Sequence, residues 1–421
     1  MSTAAHLFST APSAPLHSPD GSLLPKQIVS SAPYDSTLTT TPVTPSKRLL
    51  SLDVFRGITI AAMLLVNNPG TWASIYPPLR HAEWHGWTPT DLIFPFFLFI
   101  VGITTHLSIE SRKARNDTTS SISRQILKRG TIIILLGLAA AAFPFFPLSR
   151  IVHLRIPGVL QRIGLTYIVA ALISLRTTTR QQCAIVVAIL LLYWGAMMLI
   201  PVPDTGVLGL YTLDTPSATL AAWLDRALLD GHLWINSVTW DPEGILSSLP
   251  AVATVLLGIL AAKVLFKQSI DLQSRLNTLF AFGALGIVVG SMWNWVFPIN
   301  KNLWTSSFVI FTAAAASITL ATCIWIVDIK RITWWTKPFV IFGTNPIFAY
   351  VGSLLLARLM YSVIKVPFRG SMAPIQTVIY EIGFASWLSP MNASLAFALS
   401  VVLFWLGLLT ILYRKKLFFK V

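Results

Sequence analysis

The sequence predicts an all-α, polytopic membrane helix bundle of about ten transmembrane helices, and three observations carry that reading. Of 421 residues, 54% are hydrophobic and only 11% charged, well short of the roughly 25% that covers a water-facing surface. The mean hydropathy is +0.69. Apolar runs of about 18 to 24 residues recur from Leu52 to Tyr413, and runs of that length cross a bilayer as helices. Together these exclude a soluble enzyme, a disordered chain and a disulfide scaffold. Cys183 and Cys323 both fall inside apolar runs, so neither a disulfide framework nor a cysteine metal site is expected.

Residues 1–46 are mostly Ser, Thr, Pro and Ala, with no apolar stretch long enough for a signal peptide. They read as a disordered cytoplasmic tail ahead of a transmembrane domain over 47–421. Spans are expected at 50–68, 91–109, 131–148, 158–175, 183–201, 249–266, 276–297, 304–327, 338–360 and 393–413. Residues 374–389 are a candidate short or re-entrant eleventh. Basic residues orient the bundle: about 21 of the 31 Lys and Arg fall on the side of the tail and about eight opposite. The long connection 202–248 carries five Asp, one Glu and one Arg. Both termini are therefore expected in the cytoplasm of a multi-pass protein of the cell (inner) membrane. The net charge of +15 reads as topology and attraction to anionic membrane lipid, not as a nucleic-acid footprint. Tryptophans at the run ends, Trp84, Trp87, Trp234, Trp240, Trp293, Trp295, Trp304, Trp334 and Trp335, read as interfacial anchors.

Ionisable residues within or beside spans are costly and point to function. The first span opens SLDVFRG, where Asp53 and Arg56 share a helix face. They form either a structural clamp or a site in which Arg56 meets a phosphate. Asn67 and Asn68 end that helix, as a C-cap or as site amides. The following loop packs His81, Glu83, His85 and Asp91 together, with Thr90 or Asp91 expected to cap the second span. An imidazole there suits acid–base or nucleophilic work on an acyl group. The HxExH pattern lacks a third ligand, and no metal is expected. Arg155, Gln161 and Arg162 surround the start of the fourth span. Asp241 and Glu243 precede the sixth, where acids also match a helix dipole. Asn300, Lys301 and Asn302 join the seventh and eighth spans, and Gly343-Thr344-Asn345-Pro346 marks a break in the ninth.

The stretches SLDVFRG (51–57), HAEW-HGW-T (81–88), DLIFPFFLFIVG (91–102), RIPGVLQRIGLTY (155–167), DPEGIL (241–246), NKNLWTSSFV (300–309) and GTNPIFAYVG (343–352) arrive in one order. In that order they resemble the heparan-alpha-glucosaminide N-acetyltransferase family and its bacterial relatives, transmembrane acyltransferases. The resemblance implies an acyltransferase domain over 47–421 that takes acetyl-CoA from the cytoplasm and acetylates an amino sugar on the far side. His81 occupies the family's catalytic histidine position, and Asn67 that of an asparagine near it. Asp53, Arg56, Arg155, Gln161, Arg162, Asp241, Glu243, Asn300, Lys301, Asn302 and Asn345 are the expected binding residues. A homodimer is compatible with this picture. The rival readings are a transporter of N-acetylglucosamine-related sugars, favoured by ten spans with a broken helix, and a non-enzymatic membrane subunit. No inverted repeat in hydropathy supports the transporter.

Overall fold

The computed structural model describes residues 49–147 and 149–419, so the expected tail at 1–46 lies outside the described residues. In chain order the helices are α1 (Leu50–Asn67), α2 (Ile93–Lys113), α3 (Thr119–Ala142), one-turn α4 (Ser149–Val152), α5 (Val159–Arg176) and α6 (Thr179–Leu199). Short α7 (Leu220–Leu229), α8 (Ile245–Leu265), α9 (Leu272–Trp293), α10 (Ser306–Ile324), α11 (Lys337–Thr344) and α12 (Pro346–Arg358) follow. A two-stranded antiparallel hairpin, β1 (Lys365–Phe368) and β2 (Ser371–Pro374), precedes α13 (Ile375–Tyr380) and α14 (Pro390–Arg414). Among the described residues, ten helices are long and apolar enough to cross a membrane. The chain is a multi-pass helix bundle.

The third span starts at Thr119, earlier than 131, because the Thr118 hydroxyl accepts from the Ser121 N–H and caps the helix there. Arg124, Lys128 and Arg129 therefore lie on α3 and not in a loop. The ninth span breaks at Asn345, between α11 and α12, as GTNP suggests. The candidate eleventh segment is only the six residues of α13 and a five-residue π turn, too short to cross.

Burial separates inner from outer helices. About two thirds of the apolar windows of α1, α8 and α10 are buried (61%, 67% and 61%), against 11% for α12 and 22% for α9 and α14. Phe282, Leu285, Leu403 and Phe404 are accordingly exposed, as lipid-facing side chains are. The central packing joins Leu98, Val255, Leu256 and Phe308 from α2, α8 and α10. Several tryptophans depart from the anchor reading. Trp334 and Trp295 are exposed, but Trp304 is fully buried, its indole N–H donating to Thr254 Oγ1 at 3.1 Å.

Two contacts fix α1. Its first N–H groups, from Leu50 and Ser51, donate to the Asp328 carboxylate at 3.2 and 3.3 Å. Its Gly57 lies against α11 with bare backbones touching. A methyl on Gly57 would sit 1.7 Å from the Phe339 carbonyl oxygen, and one on Gly343 2.4 Å from that of Asp53. The glycines of the SLDVFRG and GTNP motifs thus serve one close approach. On α7, the buried Asp225 accepts from the Asp241 N–H at 3.2 Å and the Ile245 N–H at 2.9 Å, holding the turn that begins α8. Burial pushes its pKa up to about 6, with the charge of Asp241 adding and the two backbone N–H groups opposing.

Gly57→Ala is expected to lower the unfolding midpoint in detergent, at a cost of about 1–3 kcal/mol from overpacking; an unchanged midpoint would show that α1 and α11 do not meet this way. Asp225 predicts a second dependence. Its folded pKa lies above the unfolded value, so its contribution is complete below about pH 4 and lost as pH rises through about 6. The midpoint of the wild type should fall across pH 5–7 more steeply than that of Asp225→Asn, and identical slopes would contradict this.

Candidate active site

The first loop is organised by one carboxylate. Thr88 and Asp91 form a reciprocal capping box at the turn Pro89–Leu92 that leads into α2. Asp91 is 1% exposed, and its Oδ2 accepts from the backbone N–H groups of Ala82 and Thr88, each at 3.0 Å. Its Oδ1 lies 2.6 Å from His81 Nδ1. A carboxylate can only accept, so the Nδ1 proton points at Asp91 and the Nε2 lone pair is left for another group. The His81 side chain is 44% exposed.

Lys301 completes the cluster. Its Nζ lies 3.0 Å from His81 Nδ1, 3.2 Å from Nε2 and 3.6 Å from Asp91 Oδ1. Nearly equal distances to both ring nitrogens put the ammonium over the ring face, because an in-plane position would strike Cε1. Burial pulls the Lys301 pKa below the ordinary lysine range, while the carboxylates of Asp91 and Glu243 work against that fall. The neighbouring Asn300 is fully buried, accepts from the Leu303 N–H at 2.9 Å and donates toward His85 Nδ1 at 3.3 Å. The other His85 nitrogen meets Asp214 at 2.9 Å, so His85 ties the loop to its neighbours. Trp84 does the same, its indole N–H donating to the Leu213 carbonyl at 2.7 Å.

Arg155, Asp241 and Glu243 come together as expected. Arg155 donates to both Asp241 oxygens at 2.8 and 2.6 Å and to Glu243 at 2.5 Å. Burial disfavours its charge, but the hydrogen bond to Asp241 and the two carboxylate charges outweigh this and raise its pKa. Arg162 is 2% exposed and lies over the Trp304 ring at 5.1 Å. Its Nη2 donates to the Gly244 carbonyl at 3.2 Å and to Ser247 Oγ. Among the described residues its Nε and Nη1 are buried without a hydrogen-bond partner. Gln161 packs its amide into the space left by Gly137 and Gly158.

The remaining candidates are placed elsewhere. Asn67 is the exposed last residue of α1, and among the described residues no hydrogen bond joins it to His81. Asn302 sits partly buried in the turn beside Lys301. Asp53, Arg56 and Asn345 belong to the basic end of the bundle. Arg56 lies 3.6 Å from Asp53 and donates to the Gly343 carbonyl at 3.1 Å. There a cavity of about 760 Å³ is lined by Asp53, Arg56, Arg129, Thr344, Phe418 and Phe419 among others. A narrower lobe of about 210 Å³ shares Arg56, Arg129, Pro346 and Ile347 with it and runs to Phe97, Leu160 and Ile163, where its described lining ends short of His81. Among the described residues, no three His, Cys, Asp or Glu side chains converge as a metal site requires.

Two participants escaped the sequence reading. Asp91 was legible as a cap, and its position ten residues after His81 was the available signal for a second role. Arg129 lay in what read as a basic loop and gave no signal of its inward placement.

Comparison with known proteins follows this geometry. Residues 48–290 match the family described as heparan-alpha-glucosaminide N-acetyltransferase, catalytic. The curated heparan-alpha-glucosaminide N-acetyltransferase of Homo sapiens is 30% identical over 421 aligned residues, which cover 89% of this chain and 60% of the human protein. That of Mus musculus is 30% identical over 426, covering 89% of this chain and 61% of the mouse protein. The chain thus spans about 60% of the length of these relatives. With more than half of its length matched, the chain belongs to the heparan-alpha-glucosaminide N-acetyltransferase family.

Proposed function

We propose that this chain is an integral membrane N-acetyltransferase that moves an acetyl group from cytoplasmic acetyl-CoA to the amine of a glucosamine-type sugar across the membrane. The observation that carries the reading is the 2.6 Å contact of His81 Nδ1 with the buried Asp91 carboxylate, which leaves Nε2 as a base at a half-open loop. Family membership supports the reaction class. The sidedness rests on charge: the basic end holds the large arginine-lined cavity and faces the cytoplasm, and the acidic connection 202–248 faces outward.

The chemistry follows from this chain's own groups. The acceptor amine attacks the thioester carbonyl and gives its proton to His81 Nε2 as the new C–N bond forms. Asp91 stabilises the imidazolium that results, as a carboxylate behind a catalytic histidine does. The C–S bond breaks, and the proton passes from Nε2 to the departing CoA sulfur. Lys301, over the ring and near Nε2, is placed to stabilise the oxyanion that develops on the carbonyl. The narrow lobe beside Leu160 and Ile163 is the path for the thioester arm, and Arg162 on the next face of α5 supplies buried N–H donors beyond it.

His81→Ala should abolish acetyl transfer from acetyl-CoA to glucosamine while leaving the protein in the membrane, and Asp91→Asn should lower kcat by about 10²–10⁴-fold. Activity retained by His81→Ala removes the imidazole from the mechanism. Lys301→Met should lower kcat by roughly 10²-fold with a smaller change in KM. A loss carried mainly by the KM of the sugar would instead make Lys301 a binding group.

A further inference from the structure

The chain after α14 turns back over the basic end. Asn345, fully buried at the break between α11 and α12, donates from Nδ2 to the Leu417 carbonyl at 3.1 Å and accepts from the Phe419 N–H at 2.8 Å. One amide side chain thus pairs with the returning strand much as a neighbouring peptide group would. The bonds fix Phe418 and Phe419 as one wall of the 760 Å³ cavity. Phe348 covers a face of Phe419, with centroids 4.8 Å apart and planes 11° from parallel, while Phe419 itself stays 53% exposed. Exposed aromatic rings on a cavity wall are costly unless something stacks on them.

The opposite side of that cavity is cationic. Arg56 and Arg129 both line it. Arg129 also lines the narrow lobe and a third pocket of about 70 Å³, so its guanidinium stands where the three meet. Among the described residues its Nε is buried without a hydrogen-bond partner. A stacking platform facing guanidinium forks is the chemistry of a nucleotide: a base with a π-face and phosphates that take paired N–H donors. The volume lies within the roughly 300–1,000 Å³ of small-molecule sites.

We propose that residues 415–419 form the nucleobase wall of the donor site, with Phe419 stacking on the adenine of acetyl-CoA and Arg129 and Arg56 holding its phosphates. This rests on the acetyl-CoA reading above and assigns Asn345 a positioning role in place of direct contact. The wide cavity takes the nucleotide end, and the narrow lobe is left for the pantetheine arm.

Binding of adenosine 3′,5′-bisphosphate to the purified full chain tests this without any turnover. The wild type should bind it, and Phe419→Ala and Phe419→Leu should each weaken binding about tenfold, since neither offers a π-face. Phe419→Trp should restore it, and Asn345→Ala should weaken it although that side chain is not proposed to touch the ligand. In transfer assays, Phe419→Leu should lower the ratio of kcat/KM for acetyl-CoA over S-acetylpantetheine, which lacks the nucleotide, by about the same factor. No binding to the wild type, or equal binding by Phe419→Leu, overturns the proposal. So does a loss of affinity confined to short-chain phosphatidic acid, which would assign the wall to a lipid headgroup. Acetylation of glucosamine by the wild type judges the acetyltransferase reading separately, so either can fail while the other stands.

Discussion

The Asp91 carboxylate is the constraint from which the rest of the site follows. One oxygen closes the N-terminal turn of α2 and gathers the N–H groups of Ala82 and Thr88; the other takes the His81 ring. The group that starts a membrane helix is thereby the group that aims the imidazole. Capping satisfies donors that would otherwise be stranded at the edge of the bilayer, which makes the carboxylate costly to remove on structural grounds alone. Its burial against Lys301 joins the first loop to the turn before α10. The histidine is therefore held by two distant parts of the chain.

Charge is divided between the two ends of the bundle in a way that matches acyl transfer between unlike partners. Around His81 lie carboxylates, with Arg155, Asp241 and Glu243 locked together and Asp225 bracing the turn beneath them. At the other end lie arginines, with Arg56 and Arg129 on a cavity wide enough for a large anion. The close approach of α1 and α11 through Gly57 and Gly343 is what brings Arg56 beside the broken helix. Between the ends, Arg162 keeps two N–H groups without partners among the described residues, an arrangement paid for elsewhere by stacking on Trp304.

Much of the fold was legible because a bilayer leaves a chain few choices. Apolar length marked the ten spans, and GTNP marked the break in the ninth. What misled was polarity at the ends: α3 begins twelve residues before its apolar run, because a threonine cap and a basic face extend a helix without hydropathy. For the same reason Arg129 read as loop charge. Trp304 read as an interfacial anchor because sequence does not say which helix stands beside it. At the site, His81 with Lys301 and Arg155 with Asp241 and Glu243 come together from stretches chosen for their chemistry. Asn345 does not join them, since its amide is occupied by the returning chain. Asn67 stands exposed at its helix end. Such pairings depend on tertiary neighbours that no local pattern encodes.

The central claim is that this chain makes an amide bond at the expense of a thioester. Purified wild-type protein incubated with acetyl-labelled acetyl-CoA and a panel of amino sugars tests it most directly. The account predicts labelled N-acetyl sugar together with free CoA. Absence of product, with labelled N-acetylglucosamine instead entering proteoliposomes that contain no acetyl-CoA, would contradict it and identify a carrier.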